Sequence, residues 1–427
     1  MAISRRTESG PLTRSCIGGW IAAERRVSAS AERTGPSLSS AGPPATACPP
    51  GVRPSAGGSA MPDRTAIDRL VVLHGTDPSR WSRALHPVAG PLFPTDLRVR
   101  HVNLSEHDPV KAHGITHSLR IEAVSGDGPC TLFLKAPDEA LYAETLPADR
   151  AREVFWRPSG YDNIPGHARA IAASPDDQGL LRTDLRPGAP LILVEEGLQG
   201  TRYADRMTGL RADTPEAGIR RDSAALAAHL AAIHAVAPPG DQRALYARFL
   251  RDGLVIPSLR LIDGAQRFGP AATSRRAAVE HALIAWRITL DTGPHRLTRI
   301  HLDYHPWNLF LAGNQIRVIG ARLPGYGDPA DDLACLLVNH AIFGAIGPPD
   351  VRWAHDLARR SLVSHYIRLT GDDRIAERLA PFFLKRLLVF LSPHHYPDID
   401  AGHGAWIWTL AMSLMTPGTP LPPELFP

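Results

Sequence analysis

Residues 297–320 constrain this chain most, because they set strand signals inside a stretch that is otherwise helical. Leu297-Thr298-Arg299-Ile300 leads into His301-Leu302-Asp303-Tyr304-His305-Pro306-Trp307-Asn308, and the segment closes on Val318-Ile319-Gly320. Between them, short apolar runs flank Ala312-Gly313-Asn314, which reads as a β-hairpin. Around this hairpin, residues 274–290, 332–343, 351–369 and 376–391 have helical apolar spacing, and 223–236 is apolar on most sides, as a core helix is. Nearer the start, 115–124 and 131–136 alternate around a Gly126-Asp127-Gly128-Pro129 turn, predicting a second hairpin. Residues 148–157 read as a helix and 191–195 as a buried strand. The pattern is that of a mixed α+β chain whose strands come first and whose second half is mainly helical.

The loop that leads into the later hairpin carries an acid and, five positions on, an amide. That spacing suits phosphoryl transfer: the Asp303 carboxylate would receive or orient an acceptor hydroxyl, while the Asn308 side-chain oxygen would hold a metal on nucleotide phosphates. Such a site takes a second metal ligand from an aspartate at the end of a nearby strand, and here that place presents Gly320. His301 and His305 buttress the loop in this reading. In another, His301, Asp303 and His305 alternate along an extended segment and form a metal site. Asp328 precedes Pro329 at the start of a helix and reads as an N-cap, and Asp332 falls in the first turn, where negative charge suits the helix dipole.

With these residues in view, the chain resembles the aminoglycoside phosphotransferase and choline kinase-like enzymes, relatives of the protein kinases. Their catalytic loop reads H-G-D-x-H-P-x-N, matched by His301, Asp303, His305, Pro306 and Asn308. Their next segment reads V-I-D-W and then G-D-P-x-x-D-L-A, matched without gaps by Val318-Ile319-Gly320-Ala321 and by 327–334, so that Gly320 stands where the resemblance implies a metal-binding aspartate. The resemblance implies a bilobal protein-kinase-like fold. A nucleotide lobe would span 61–196, and a helical lobe with the catalytic loop would span 197–427. It also implies ATP or another nucleoside triphosphate as donor, Mg2+ with a doubtful second ligand, and a small-molecule hydroxyl as acceptor. Lys135, closing a short strand, would bind the α- and β-phosphates and pair with Glu153 on the following helix. Gly114 would lie in the turn that covers the phosphates, or in a plain hairpin turn. Glu195 and Gly197, at the junction of the lobes, would present backbone groups to the base. The expected activity is phosphotransfer to a small-molecule alcohol. The alternative is a pseudokinase that binds nucleotide or metabolite without turnover.

Charge distribution removes a competing reading. The net charge of +4 comes from 47 Lys and Arg against 43 Asp and Glu, and residues 1–60 alone hold seven arginines against three glutamates. The remaining sequence is balanced, so the high pI does not indicate a nucleic-acid partner. No apolar run reaches the length of a membrane span. Cysteines 16, 48, 130 and 335 lack metal-ligand spacing and fit a reduced, cytoplasmic setting. Residues 1–60, rich in Ser, Ala, Gly, Pro and Arg, read as a disordered tail, a targeting segment or sequence upstream of a true start at Met61. Deleting them should leave the melting temperature nearly unchanged. A fall of about ten degrees or more in a thermal scan would show that they contribute to the core.

Overall fold

The computed structural model describes residues 66–90, 92, 97–103, 116–137, 151, 154–156, 160, 162–185, 190–263, 272–393 and 395–426. The expected tail 1–60 and most of the expected helix 148–157 lie outside these residues. The chain enters through helices α1 (Ala66–His74) and α2 (Pro78–Ala89). Asp77 caps α2 by accepting hydrogen bonds from the backbone of Ser79 and Arg80, and Pro78 occupies the first helical position. Trp81 is fully buried and donates its indole N–H to the Gly75 carbonyl at 2.9 Å.

The strands that follow are β1 (Arg98–Asn103), β2 (Thr116–Ser125), β3 (Gly128–Pro137), β4 (Ala170–Pro175), β5 (Leu181–Arg182) and β6 (Ile192–Glu196). They form an antiparallel sheet in the order β1-β2-β3-β6-β4-β5. Side-chain alternation divides its faces. Leu119, Ile121 and Ala123 of β2, Leu132, Leu134 and Ala136 of β3, and Ile192 and Val194 of β6 bury together with residues of α1 and α2. The opposite parity on β6 places Leu193 in the core of the helical half, and Lys135 and Glu195 share that other face.

The rest is mainly helical. After β7 (Thr201–Arg202) come α3 (Tyr203–Thr208), α4 (Glu216–His234) and α5 (Gln242–Phe249). A π-helical turn, Leu250–Val255, then leads into α6 (Ile256–Asp263), followed by α7 (Ala272–Leu290). Next are β8 (Thr298–Arg299), β9 (Leu309–Ala312), β10 (Gln315–Val318) and β11 (Tyr326–Gly327). The chain ends through α8 (Pro329–Ile346), α9 (Arg352–Thr370), α10 (Leu379–Leu391) and α11 (Ala401–Ser413). α8 is buried almost all round, as a helix apolar on every side must be, and it lies against both α9 and α10. Among the described residues, no helix is long and apolar enough to cross a membrane.

The hairpin β9–β10 appears where the sequence predicts it, with β7 adding a third strand. The segment before β4 runs alongside β10: Val318 donates to the Gly166 carbonyl at 3.0 Å, and Ala168 donates to the Val318 carbonyl at 2.8 Å. This approach needs glycine at 166. Its φ is +68°, and a β-carbon there would sit 2.5 Å from the Ile316 carbonyl oxygen.

α8 and α9 face each other through two buried histidines. His340 Nε2 lies 2.7 Å from the Tyr203 hydroxyl, and its Nδ1 lies 3.1 Å from Nδ1 of His355. Burial lowers His355 to about 4 and His340 well below the usual imidazole range, and it lowers His301 as well. Above about pH 6.5 both the folded and unfolded forms are neutral at these rings. Below it the unfolded chain takes up protons that the folded chain refuses. Stability should therefore fall as pH drops from about 6.5 toward 4, with His355 alone contributing up to about 1.4 kcal/mol per pH unit and His340 and His301 acting in the same direction. Urea midpoints measured across that window test this. A midpoint constant down to about pH 5 would show that the rings are solvated.

Candidate active site

The loop between β8 and β9 is held from behind by one carboxylate. Asp332, in the first turn of α8 and fully buried, accepts the backbone N–H of His301 through Oδ2 and that of Leu302 through Oδ1, both at 2.7 Å. Burial pushes the Asp332 carboxyl up. The hydrogen bond and charge of His234, with the backbone N–H of His301, outweigh burial and hold it below the usual carboxylate range. Gripping two successive N–H groups turns the chain sharply, and Leu302 takes a left-handed φ of +68°. That turn breaks the extended run on which a His-x-Asp-x-His metal site depends. His301 instead points its Nε2 at the Ile319 carbonyl, 3.0 Å away, and its Nδ1 accepts from the Asp303 backbone N–H at 3.2 Å. His305 caps the following 3₁₀ turn through Trp307 N–H, with its Nε2 3.7 Å from Asp303.

Asp303 therefore projects from a turn fixed on its other sides. Asn308 donates its side-chain N–H to the Asp303 carbonyl at 2.9 Å, while its backbone oxygen accepts from Ile319 at 3.0 Å. The Asp303 carboxylate sits between two guanidinium groups. Arg322 Nε lies 3.1 Å from Oδ2, and Arg386 Nη1 lies 3.3 Å from Oδ1. Arg386 is buried and also binds the Leu302 carbonyl at 2.7 Å and Asp331 at 2.9 Å, while Lys385 joins Asp331 and the Gly253 carbonyl. Arg322 is anchored by its backbone N–H on the His301 carbonyl at 3.0 Å, and about a third of its side chain is exposed (34%).

Gly320 lies against Asn308. Its φ is +79°, and a β-carbon there would sit 2.9 Å from Asn308 Nδ2 and 3.3 Å from Oδ1. The next residue, Ala321, donates its backbone N–H to His167 Nε2 at 3.3 Å, and the His167 ring stacks on His301 at 5.9 Å. Asp328 caps α8 through Ala330 N–H, with its carboxylate on the Tyr246 hydroxyl and Arg378, so it faces away from the loop into structural contacts.

On the sheet, Lys135 donates to Glu195, whose side chain is nearly inaccessible (1%) and whose second carboxylate oxygen has no hydrogen-bond partner among the described residues. Glu153 and Gly114 lie outside the described residues. The Glu195 side chain thus holds Lys135, whereas the sequence reading assigned position 195 only backbone contacts. The backbone N–H groups of Glu196 and Gly197 bond to the carbonyls of Arg169 and Thr131. Sequence reasoning also missed Arg386, Asp331, Lys385 and His167. Lysine scarcity was the one signal available for Lys385, since the chain has only three lysines.

Among the described residues, those around Asp303 do not make a divalent-cation site. Both oxygens of Asp303 are engaged by arginines, Gly320 brings no donor, and Asn308 contributes one neutral oxygen. Among the described residues no group of three or more His, Cys, Asp or Glu side chains could hold a metal ion.

Residues 124–374 match the family model described as the phosphotransferase enzyme family. Among solved structures, an ethanolamine kinase from Plasmodium vivax is 12% identical, with 80% of this chain and 86% of that chain covered and a TM-score of 0.45. An aminoglycoside phosphotransferase from Streptomyces rimosus is 15% identical, with 80% and 100% covered and a TM-score of 0.35. A choline/ethanolamine kinase family protein from Mesorhizobium loti is 15% identical, with 80% and 95% covered and a TM-score of 0.39. No curated protein matches the chain.

The left-handed backbone and the crowded β-carbon position make Gly320 a sensitive point. Gly320→Ala should lower unfolding stability by about 1–2 kcal/mol and displace the Asn308 amide from the Asp303 carbonyl. Denaturant titration measures the first effect. An alanine variant as stable as the parent would show that this backbone is not held left-handed.

Proposed function

The chain belongs to the phosphotransferase enzyme family, and on that premise we propose that it transfers a phosphoryl group from a nucleoside triphosphate to the hydroxyl of a small molecule. One observation carries this reading. Asp303 is presented, with 15% of its side chain exposed, on a turn pinned by Asp332 from behind and by Asn308 from the side. A carboxylate held in this way can orient an acceptor hydroxyl and take its proton as the oxygen attacks phosphorus. Lys135, fixed by Glu195 on the sheet face shared with Leu193, would supply positive charge to the nucleotide phosphates. The segment 195–197 would border the base. Because the residues do not fit a divalent cation, the work of positioning and charge balance falls on the side chains of this chain.

A second reading, nucleotide binding without turnover, is favoured by a separate observation: both oxygens of Asp303 are already occupied by Arg322 and Arg386. The two readings part on a single comparison. Nucleotide binding is measured by calorimetry, and phosphate transfer is then followed over a panel of hydroxyl compounds. Under the leading reading, Asp303→Asn lowers transfer by about 10²- to 10⁴-fold without weakening nucleotide binding. If the natural protein binds nucleotide yet phosphorylates no acceptor, the second reading replaces the first.

A further inference from the structure

We propose that Arg322, rather than a divalent cation, supplies the positive charge that binds nucleotide phosphate at the catalytic loop, and that it leaves Asp303 to do so. That nucleotide binds at all is taken from the function proposed above.

Arg322 and Arg386 hold the same carboxylate but differ in burial. Arg386 is buried and tied to Asp331, to the Leu302 carbonyl and to Asp303, so its guanidinium is a fixed part of the interior. Arg322 is fastened by its backbone to His301, and about a third of its side chain is exposed. A guanidinium a third exposed keeps part of its hydration, so its pair with Asp303 is weaker than one buried on both sides. A guanidinium matches phosphate oxygens with two parallel N–H donors, so an arriving polyphosphate competes well for it. Arg322 also stands two residues beyond Gly320, whose missing β-carbon would touch the Asn308 amide. The positive charge thus comes from the same turn that presents no metal-binding carboxylate.

The exchange has a consequence for Asp303. While Arg322 is paired with it, Oδ2 is occupied. Once Arg322 moves to phosphate, Arg386 still holds Oδ1 in place, and Oδ2, with His305 Nε2 3.7 Å away, can offer the place Arg322 held to the hydroxyl of an acceptor. Donor binding would therefore prepare the acceptor's partner.

The test is calorimetric titration of ATP into the full-length protein, in buffer with EDTA and in buffer with excess Mg2+. It is repeated for Arg322→Gln, Arg322→Lys and the double variant Asp303→Asn/Arg322→Gln, with melting temperatures as a check on folding. The expected result is that metal removal changes the natural protein's affinity by less than about tenfold. Arg322→Gln should weaken binding by more than about tenfold in both buffers, and Arg322→Lys should recover most of it. The double variant should stay weak, because the lost contact is to phosphate. If it binds as tightly as the natural protein, Arg322 acts only by neutralising Asp303 and the proposal falls. Binding that collapses in EDTA, or that is indifferent to Arg322→Gln, overturns it as well, and either leaves the proposed function standing. Absence of ATP binding in both buffers would remove the proposed function and this assignment together.

Discussion

The grip of Asp332 on two successive backbone N–H groups is the contact on which the rest of the site depends. Two charge-assisted bonds in a fully buried setting each outweigh an ordinary neutral hydrogen bond. Together they hold Leu302 in a left-handed conformation that a branched side chain adopts only at a cost. With the chain turned there, Asp303 faces outward, His301 turns in to brace Ile319, and Asn308 can reach the Asp303 carbonyl. The carboxylate that does this comes from α8, so the loop is positioned by a buried helix rather than by its own strands.

Interior charge is organised as alternating partners. Lys385 and Arg386 meet Asp331, Arg386 goes on to Asp303, and Arg322 closes the row at the surface. Each ion has an opposite neighbour and further hydrogen bonds, the condition under which buried ions are tolerated. Asp328 is treated alike, with Tyr246 and Arg378 on one oxygen and Arg296 near the other. Losing one of the buried members, Asp331, Lys385 or Arg386, would leave an uncompensated charge in the interior, whereas Arg322 at the end of the row is partly solvated.

Much of this was legible in the sequence where local chemistry decides structure. The Gly313-Asn314 turn, the alternation of β2 and β3, and the Asp328-Pro329 start of α8 all depend on residues close in the chain, and they form as their patterns suggest. The opening helix α1 is short, and α2 was overlooked although Trp81, Ala84, Leu85 and Val88 repeat at helical spacing behind an Asp77-Pro78 start, while the π-helical turn at Leu250–Val255 has no periodic signal. Side-chain partners were the least readable. Lys135 finds Glu195 sixty residues on, and Asp303 finds Arg386 eighty-three residues on, pairings that no local period encodes. The alternating His301, Asp303 and His305 pattern misled for a related reason: a distant carboxylate bends the backbone at Leu302, so neighbours in sequence cease to share a face.

The lacing of residues 166–168 to Val318 has a mechanical meaning. It gives the strand-bearing half and the helical half a common line of backbone hydrogen bonds, next to the buried Leu193 that the helical core also claims. Sliding one half along the other would break these bonds in concert, whereas rocking about the line preserves them. A rotation about that line would change the reach from Lys135 to Asp303, whereas Ile319 and Gly320, next to Val318 in the chain, would keep their places beside it.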